Sequence, residues 1–132
     1  MVVSTYGTVN LLDSEAFQQY VATALWSTTD DNGAPLDANY DFDDVDTESL
    51  QFQRIECEHF IQSNYSLIVA LRENGHELST IMHDFWLTRN SHGCGFWDGD
   101  YEEPYATLLT DSANSFGERE PYIGDDGQVY LS

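Results

Sequence analysis

Between His83 and Asp100 the chain reads HDFWLTRNSHGCGFWDGD, and it is here that side chains able to do chemistry gather. His83, His92, Asp98 and Asp100 offer imidazole nitrogens and carboxylate oxygens, a donor set that can hold a hard or borderline cation. They define one reading, a small metal-dependent enzyme. The spacing gives it little support. No HExxH, CxxC or DxDxDG pattern occurs, and Asp84, directly after His83, points in another direction if the two share a helix. The alternative for the same residues is structural. His92 and Asn90 satisfy backbone groups at a turn between a helix and a strand, and Asp98 hydrogen-bonds locally.

Other chemistries have less to stand on. Cys94 lies between two glycines with His92 close by, but a Cys-His pair is a spatial arrangement that spacing does not establish. Cys57 falls on the apolar face of a helix and reads as core. There is no GxSxG elbow and no glycine-rich phosphate cradle. Asp41 to Glu48 (DFDDVDTE) alternate acids as a calcium loop does. However, Asp46 stands where that loop requires Gly, and Phe52 where it requires a bidentate Glu. No enzyme, cofactor or metal site is expected.

The strongest signal is charge. Twenty-four acids face four bases, all arginine (Arg54, Arg72, Arg89, Arg119), for a net charge of −20 over 132 residues. Solubility needs only about 2–8 charges in a small domain, and self-repulsion of this size opposes compaction. Direct nucleic-acid binding requires Lys and Arg to neutralise phosphates, and anionic membranes require the same. Both are excluded as main roles, and a basic partner is favoured. A compact chain of this length is roughly 36 Å across, and duplex DNA carries about 21 charges over that distance. The protein and a piece of DNA of its own length are therefore comparably charged. Halophilic adaptation is the bland alternative.

The acids fall in three clusters. Residues 30–48 (DDNGAPLDANYDFDDVDTE) contain eight with no base. Asp98, Asp100, Glu102 and Glu103 form the second, and Asp111, Glu118, Glu120, Asp125 and Asp126 the third.

These clusters sit among elements that periodicity defines. Residues 1–12 form an extended arm or edge strand. Asp13 or Ser14 caps a helix with Phe17, Tyr20, Val21, Ala24 and Leu25 on one face. The 30–48 segment is a long loop, with Tyr40, Phe42 and Val45 able to pin it to the body. Thr47 to Glu73 reads as one long helix, capped by Thr47 and stopped at Asn74-Gly75. Phe52 and Ile55 lie opposite its apolar face, so the helix is either covered on two sides near its start or bent near Ser63-Asn64. A helix over 76–89 carries Leu78, Ile81, Met82, Phe85 and Trp86, and Arg89 is expected to pair with a carboxylate of the 83–100 stretch. Residues 94–98 read as a strand, with Phe85, Trp86, Phe96 and Trp97 as an apolar hinge. Pro104 opens a helix that Gly117 ends, and Tyr122 to Leu131 is a hairpin turning through Asp125-Asp126-Gly127. The predicted fold is one α+β domain over 1–132, about four helices packed on a small C-terminal antiparallel sheet. No apolar run approaches the length of a membrane span and no signal peptide is read at the N-terminus. The thiols are expected free in a reducing compartment.

His83 to Asp98, with LWSTTDDNG at 25–33 and YIGDDG at 122–127, resembles a family of small acidic proteins of bacteriophages and mobile elements. That family is marked by an HDFWLTRN core, then HG, then GFWD. The likeness covers most of the chain and brings no catalytic residues with it. It implies a setting among phage or plasmid accessory genes, where small acidic proteins include anti-restriction DNA mimics and anti-CRISPR proteins.

Charge and resemblance lead to one expectation. The protein is a non-enzymatic inhibitor acting in the host bacterial cytoplasm on a basic, nucleic-acid-binding host defence protein. A CRISPR effector subunit is favoured over a restriction enzyme. Asp30, Asp31, Asp37, Asp41, Asp43, Asp44, Asp46, Glu48, Asp98, Asp100, Glu102 and Glu103 are the contact residues expected, with Tyr40, Phe42 or Tyr101 as aromatic anchors. The metal-dependent enzyme, and an acidic chaperone for a basic phage protein, stand as alternatives.

Overall fold

In a computed structural model, residues 11–91, 95–97 and 100–131 are described. The arm read at the N-terminus falls mostly outside them, as do His92, Cys94 and Asp98.

Helix α1 (Ser14–Trp26) begins where the capping residue places it: Asp13 Oδ1 accepts the Ala16 N–H at 2.8 Å. Phe17, Tyr20, Val21, Ala24 and Leu25 are buried, as their spacing predicts. They pack along α4 (Leu78–Arg89), whose Leu78, Ile81, Met82, Phe85 and Trp86 turn inward. Tyr20 lies at the seam, its ring 5.6 Å from Phe85 and edge-on to Trp86 at 5.3 Å. Phe60 stacks on Phe85 at 4.0 Å, which brings α2 against the same seam. The buried apolar side chains form one cluster.

The long helix expected over 47–73 is two. Helix α2 (Thr47–Ser63) ends at Asn64, and α3 (Tyr65–Glu73) starts after it. Asn64 leaves helical geometry at φ −120° and ψ 28°. Its amide donates to the Phe60 carbonyl and to Ser112 Oγ, both at 2.8 Å, so the break is tied to α5 (Tyr105–Ser115). The bend is thus the option taken. Phe52 and Ile55 stay 48% exposed, and Phe52 is covered only in part, by the Arg119 guanidinium 5.1 Å from its ring centre. The split raises the helix count from four to five. The cap of α2 is Asp46, whose carboxylate accepts the Ser49 N–H, rather than Thr47.

The sheet is smaller than expected. Strands β1 (Pro121–Ile123) and β2 (Val129–Leu131) pair antiparallel, Tyr122 opposite Tyr130. The turn closes through Gly127 at φ 81°, a left-handed conformation that a glycine adopts without strain. Residues 95–97 do not join as a third strand. They bend across α4, where the Phe96 N–H donates to Thr88 Oγ1 at 3.2 Å, and that bond replaces a ladder. Phe96 is buried as expected, but Trp97 is 60% exposed and takes no part in the hinge. The architecture is α+β, with five α-helices among the described residues packed with a two-stranded C-terminal sheet.

The 30–48 loop is more ordered in kind than its composition suggests. It makes two 3₁₀ turns, Leu36–Ala38 and Phe42–Asp44. Leu36 and Val45 are buried, and Phe42 packs edge-on to Phe17, so apolar side chains do pin it to α1.

Candidate partner-binding surface

Two of the four bases close on one carboxylate. Arg89, at the end of α4, is 1% exposed. Its guanidinium donates to Glu56 Oε1 at 2.8 Å, to Tyr20 Oη at 3.0 Å, and to the carbonyls of Gly117 and Phe116 at 2.8 and 3.0 Å. Arg119 closes on the other side of the same carboxylate, reaching Oε2 at 2.8 Å and Oε1 at 3.2 Å. Partial burial pushes the Glu56 carboxyl up, but the hydrogen bonds from Arg119 and Arg89 outweigh it and hold it below its ordinary range. Arg89 does pair with a carboxylate, but that of Glu56 on α2 and not one of the 83–100 stretch, because its guanidinium turns inward against α2. Of the other two bases, Arg54 lies over the Phe17 ring at 4.5 Å and Arg72 is exposed near the end of α3.

The expected contact acids divide by what their oxygens do. Asp30 Oδ1 accepts the Asn32 and Ala34 N–H groups. Asp41 and Asp44 form a reciprocal capping box around the second 3₁₀ turn. Asp46 caps α2. Glu103 accepts from the Thr107 hydroxyl at 2.7 Å and from its N–H at 2.9 Å, and those bonds hold its carboxyl below the ordinary range. Each of these five carboxylates is fixed by backbone donors yet keeps lone pairs for a partner. Asp31, Asp37, Asp43, Glu48, Asp100 and Glu102 are exposed, with no side-chain hydrogen bond among the described residues. Asp98 lies outside the described residues.

The structure joins the first cluster to the third. The loop carrying Asp30 and Asp31 runs beside the hairpin, and an open cleft of about 560 Å³ lies between them, lined in part by Asp30, Asp31, Tyr40, Glu120, Tyr122 and Ile123. Residues 118–126 were outside the expected contact set, although their acids were legible as a cluster; the fold alone brings them to the loop. On the outer face of the hairpin Tyr122 stacks on Tyr130 at 5.3 Å. The Tyr130 hydroxyl donates to Asp126 at 2.6 Å, a bond that pushes the phenol up to about 12 and the carboxyl down.

Of the aromatic anchors, Tyr40 borders this cleft and Phe42 is half-buried. Tyr101 is not available: it is buried, stacks on His76 at 4.9 Å and donates to Asp84 Oδ2 at 2.6 Å. Desolvation and the Asp84 carboxylate push its phenol well above the ordinary range.

The alternative ligand set is not brought together among the described residues. His83 Nδ1 sits 2.9 Å from Asp84 Oδ1 while its ring stacks on Trp26, and Asp100 is exposed. His92 and Asp98 lie outside the described residues, and no group of three potential ligands occurs among the described ones. Asn90 does serve the turn, donating to the Trp86 carbonyl and accepting the Arg119 N–H.

These features define an α+β domain with an acid-rich outer surface. Comparison with protein-family models, with curated proteins and with solved structures returns no match. No helix among the described residues is long and apolar enough to cross a membrane.

Proposed function

We propose that this protein is a non-enzymatic inhibitor, encoded by a phage or other mobile element and acting in the host bacterial cytoplasm. It occupies the nucleic-acid-binding surface of a basic host defence protein, placing carboxylates where phosphates would lie. A CRISPR effector subunit is the favoured target and a restriction enzyme the next.

One observation carries the reading: Arg89 and Arg119 both close on Glu56. Half of the positive charge is thereby placed against a single acid, and the remaining 23 of the 24 acids face only Arg54 and Arg72. The outward field is close to uniformly negative, which steers a basic partner into encounter and repels acidic ones. Backbone-fixed carboxylates such as Asp41, Asp44 and Asp46 reduce the ordering cost of binding.

The test is displacement of labelled nucleic acid from purified CRISPR effectors and restriction enzymes, followed across a salt series. Displacement that weakens steeply with salt is expected. Neutralising Asp31, Asp37, Asp43, Glu48, Asp100 and Glu102 together to Asn or Gln should weaken it by about a hundredfold, taking about 0.5 kcal/mol for each exposed pair. Failure to displace nucleic acid from any of them, or indifference to the sixfold neutralisation, overturns the proposal.

A further inference from the structure

Among the described residues, the two-stranded sheet has one closed edge and one open edge. The register fixes which groups point where. The Gly124 N–H donates to the Gln128 carbonyl at 2.8 Å, and Tyr122 lies opposite Tyr130. In an antiparallel ladder such bonded pairs alternate, so the backbone groups of residues 121, 123, 129 and 131 point outward. On the β2 side three of the four outward polar groups have a partner from α2 or its cap. The Val129 carbonyl accepts the Asp46 N–H at 2.8 Å, the Leu131 carbonyl accepts from Gln53 Nε2 at 3.2 Å, and the Leu131 N–H donates to Ser49 Oγ at 3.2 Å; the Val129 N–H faces the bridge to Val45. On the β1 side the Pro121 carbonyl and the Ile123 N–H and carbonyl face outward and find no partner among the described residues.

An open strand edge is a template for another strand, and proteins guard such edges. Here the edge borders the cleft shared with the 28–32 segment. Its rim holds Asp30, Asp31 and Glu120, and its walls include Tyr40, Tyr122 and Ile123. The carboxylates repel a second copy of this −20 chain or any acidic strand. They attract a basic one, whose arginines can lie on the tyrosine faces. Three residues of strand span about 10 Å, enough for a short extended segment to pair and set alternate side chains in the cleft.

We infer that the open edge of β1 is a docking slot for an extended, arginine-bearing segment of the basic partner, taken up by strand addition. The inference rests on the function proposed above and names how the contact is made. Acids elsewhere on the surface steer the partner; this cleft holds one stretch of its chain.

The probe is an N-acetylated, C-amidated pentapeptide of alternating Val and Arg, titrated into the whole protein and followed by amide NMR. The Ile123 amide is expected to shift and its exchange to slow, and the Val-Glu counterpart should not bind. Ile123→Pro removes the outward N–H at a position where an edge strand accepts proline, and should weaken the peptide by about tenfold, the worth of one such bond. A peptide N-methylated at the pairing amides tests the same bond without altering the protein, and should lose binding likewise. Shifts that miss Ile123, no binding at all, or equal affinity for the N-methylated peptide overturn the strand-addition inference. Displacement of nucleic acid by the protein would be untouched by any of these outcomes, so failure of the slot and failure of the proposed function are read separately.

Discussion

Replacing Glu56 by Gln removes one negative charge from between two guanidiniums. The Arg89 side chain is wholly buried and that of Glu56 is 13% exposed, so water does not take the place of the lost carboxylate. Breaking a buried ion pair by removing one partner costs about 3–5 kcal/mol. Two features set the expectation at the lower end. Arg89 keeps the Phe116 and Gly117 carbonyls and the Tyr20 hydroxyl, and Arg119 is 26% exposed. Against that, the new amide turns an NH₂ toward guanidinium donors. The expected loss is about 3 kcal/mol, which at a urea dependence of about 2 kcal/mol/M lowers the midpoint by about 1.5 M.

The same pair carries a pH signature. The folded carboxyl of Glu56 lies below its ordinary value. Its contribution is therefore fully present above the unfolded Glu pKa of about 4.3 and is lost as pH falls through the lower folded value. Acidification also relieves self-repulsion across a −20 chain, so stability is compared between wild type and variant at each pH, where that common effect largely cancels. The difference should be flat above about pH 5 and shrink below about 4. A loss under about 1 kcal/mol, the size of an exposed ion pair, or a difference that does not change down to about pH 3, would refute the claim that these arginines are held by one partly buried carboxylate.

Two further substitutions separate scaffold from surface. Asp46→Ala removes the cap of α2 and should cost about 1 kcal/mol in denaturant titration, whereas Asp43→Asn, at an exposed and unbonded carboxylate, should stay within about 0.5 kcal/mol. Gly95→Ala should cost about 1–3 kcal/mol. A Cβ there meets the Thr88 hydroxyl and lies 3.4 Å from the Asp84 carbonyl, and turning Thr88 aside strands the Phe96 N–H; circular dichroism on heating measures the loss.

The anchor residues show where reading from sequence stops. Tyr101, flanked by acids, looks like a surface contact, yet Asp84 lies 17 residues before it and draws its hydroxyl inward. Trp97 looks like core and is exposed, because Gly95 and Phe96 are held against Thr88 and the chain bends instead of extending. The strand expected over 94–98 fails for the same reason among its described residues. β-propensity describes fit to a pleated surface, and here a helix side chain supplied the hydrogen bond first.

What the sequence determined by itself is what depends on near neighbours and on totals. The buried faces of α1 and α4, the Asp13 cap, the glycine stops at 75, 117 and 127, and a net charge of −20 all follow from spacing and composition. The tertiary structure alone decided which distant groups meet. Glu56 and Arg89 are 33 residues apart and Glu56 and Arg119 are 63, and nothing local selects that carboxylate from 24. The cleft between Asp30 and Ile123 arises in the same way. Helical periodicity sets a helix's own buried face, but the path of the intervening chain sets what that face, or an open strand edge, comes to lie against.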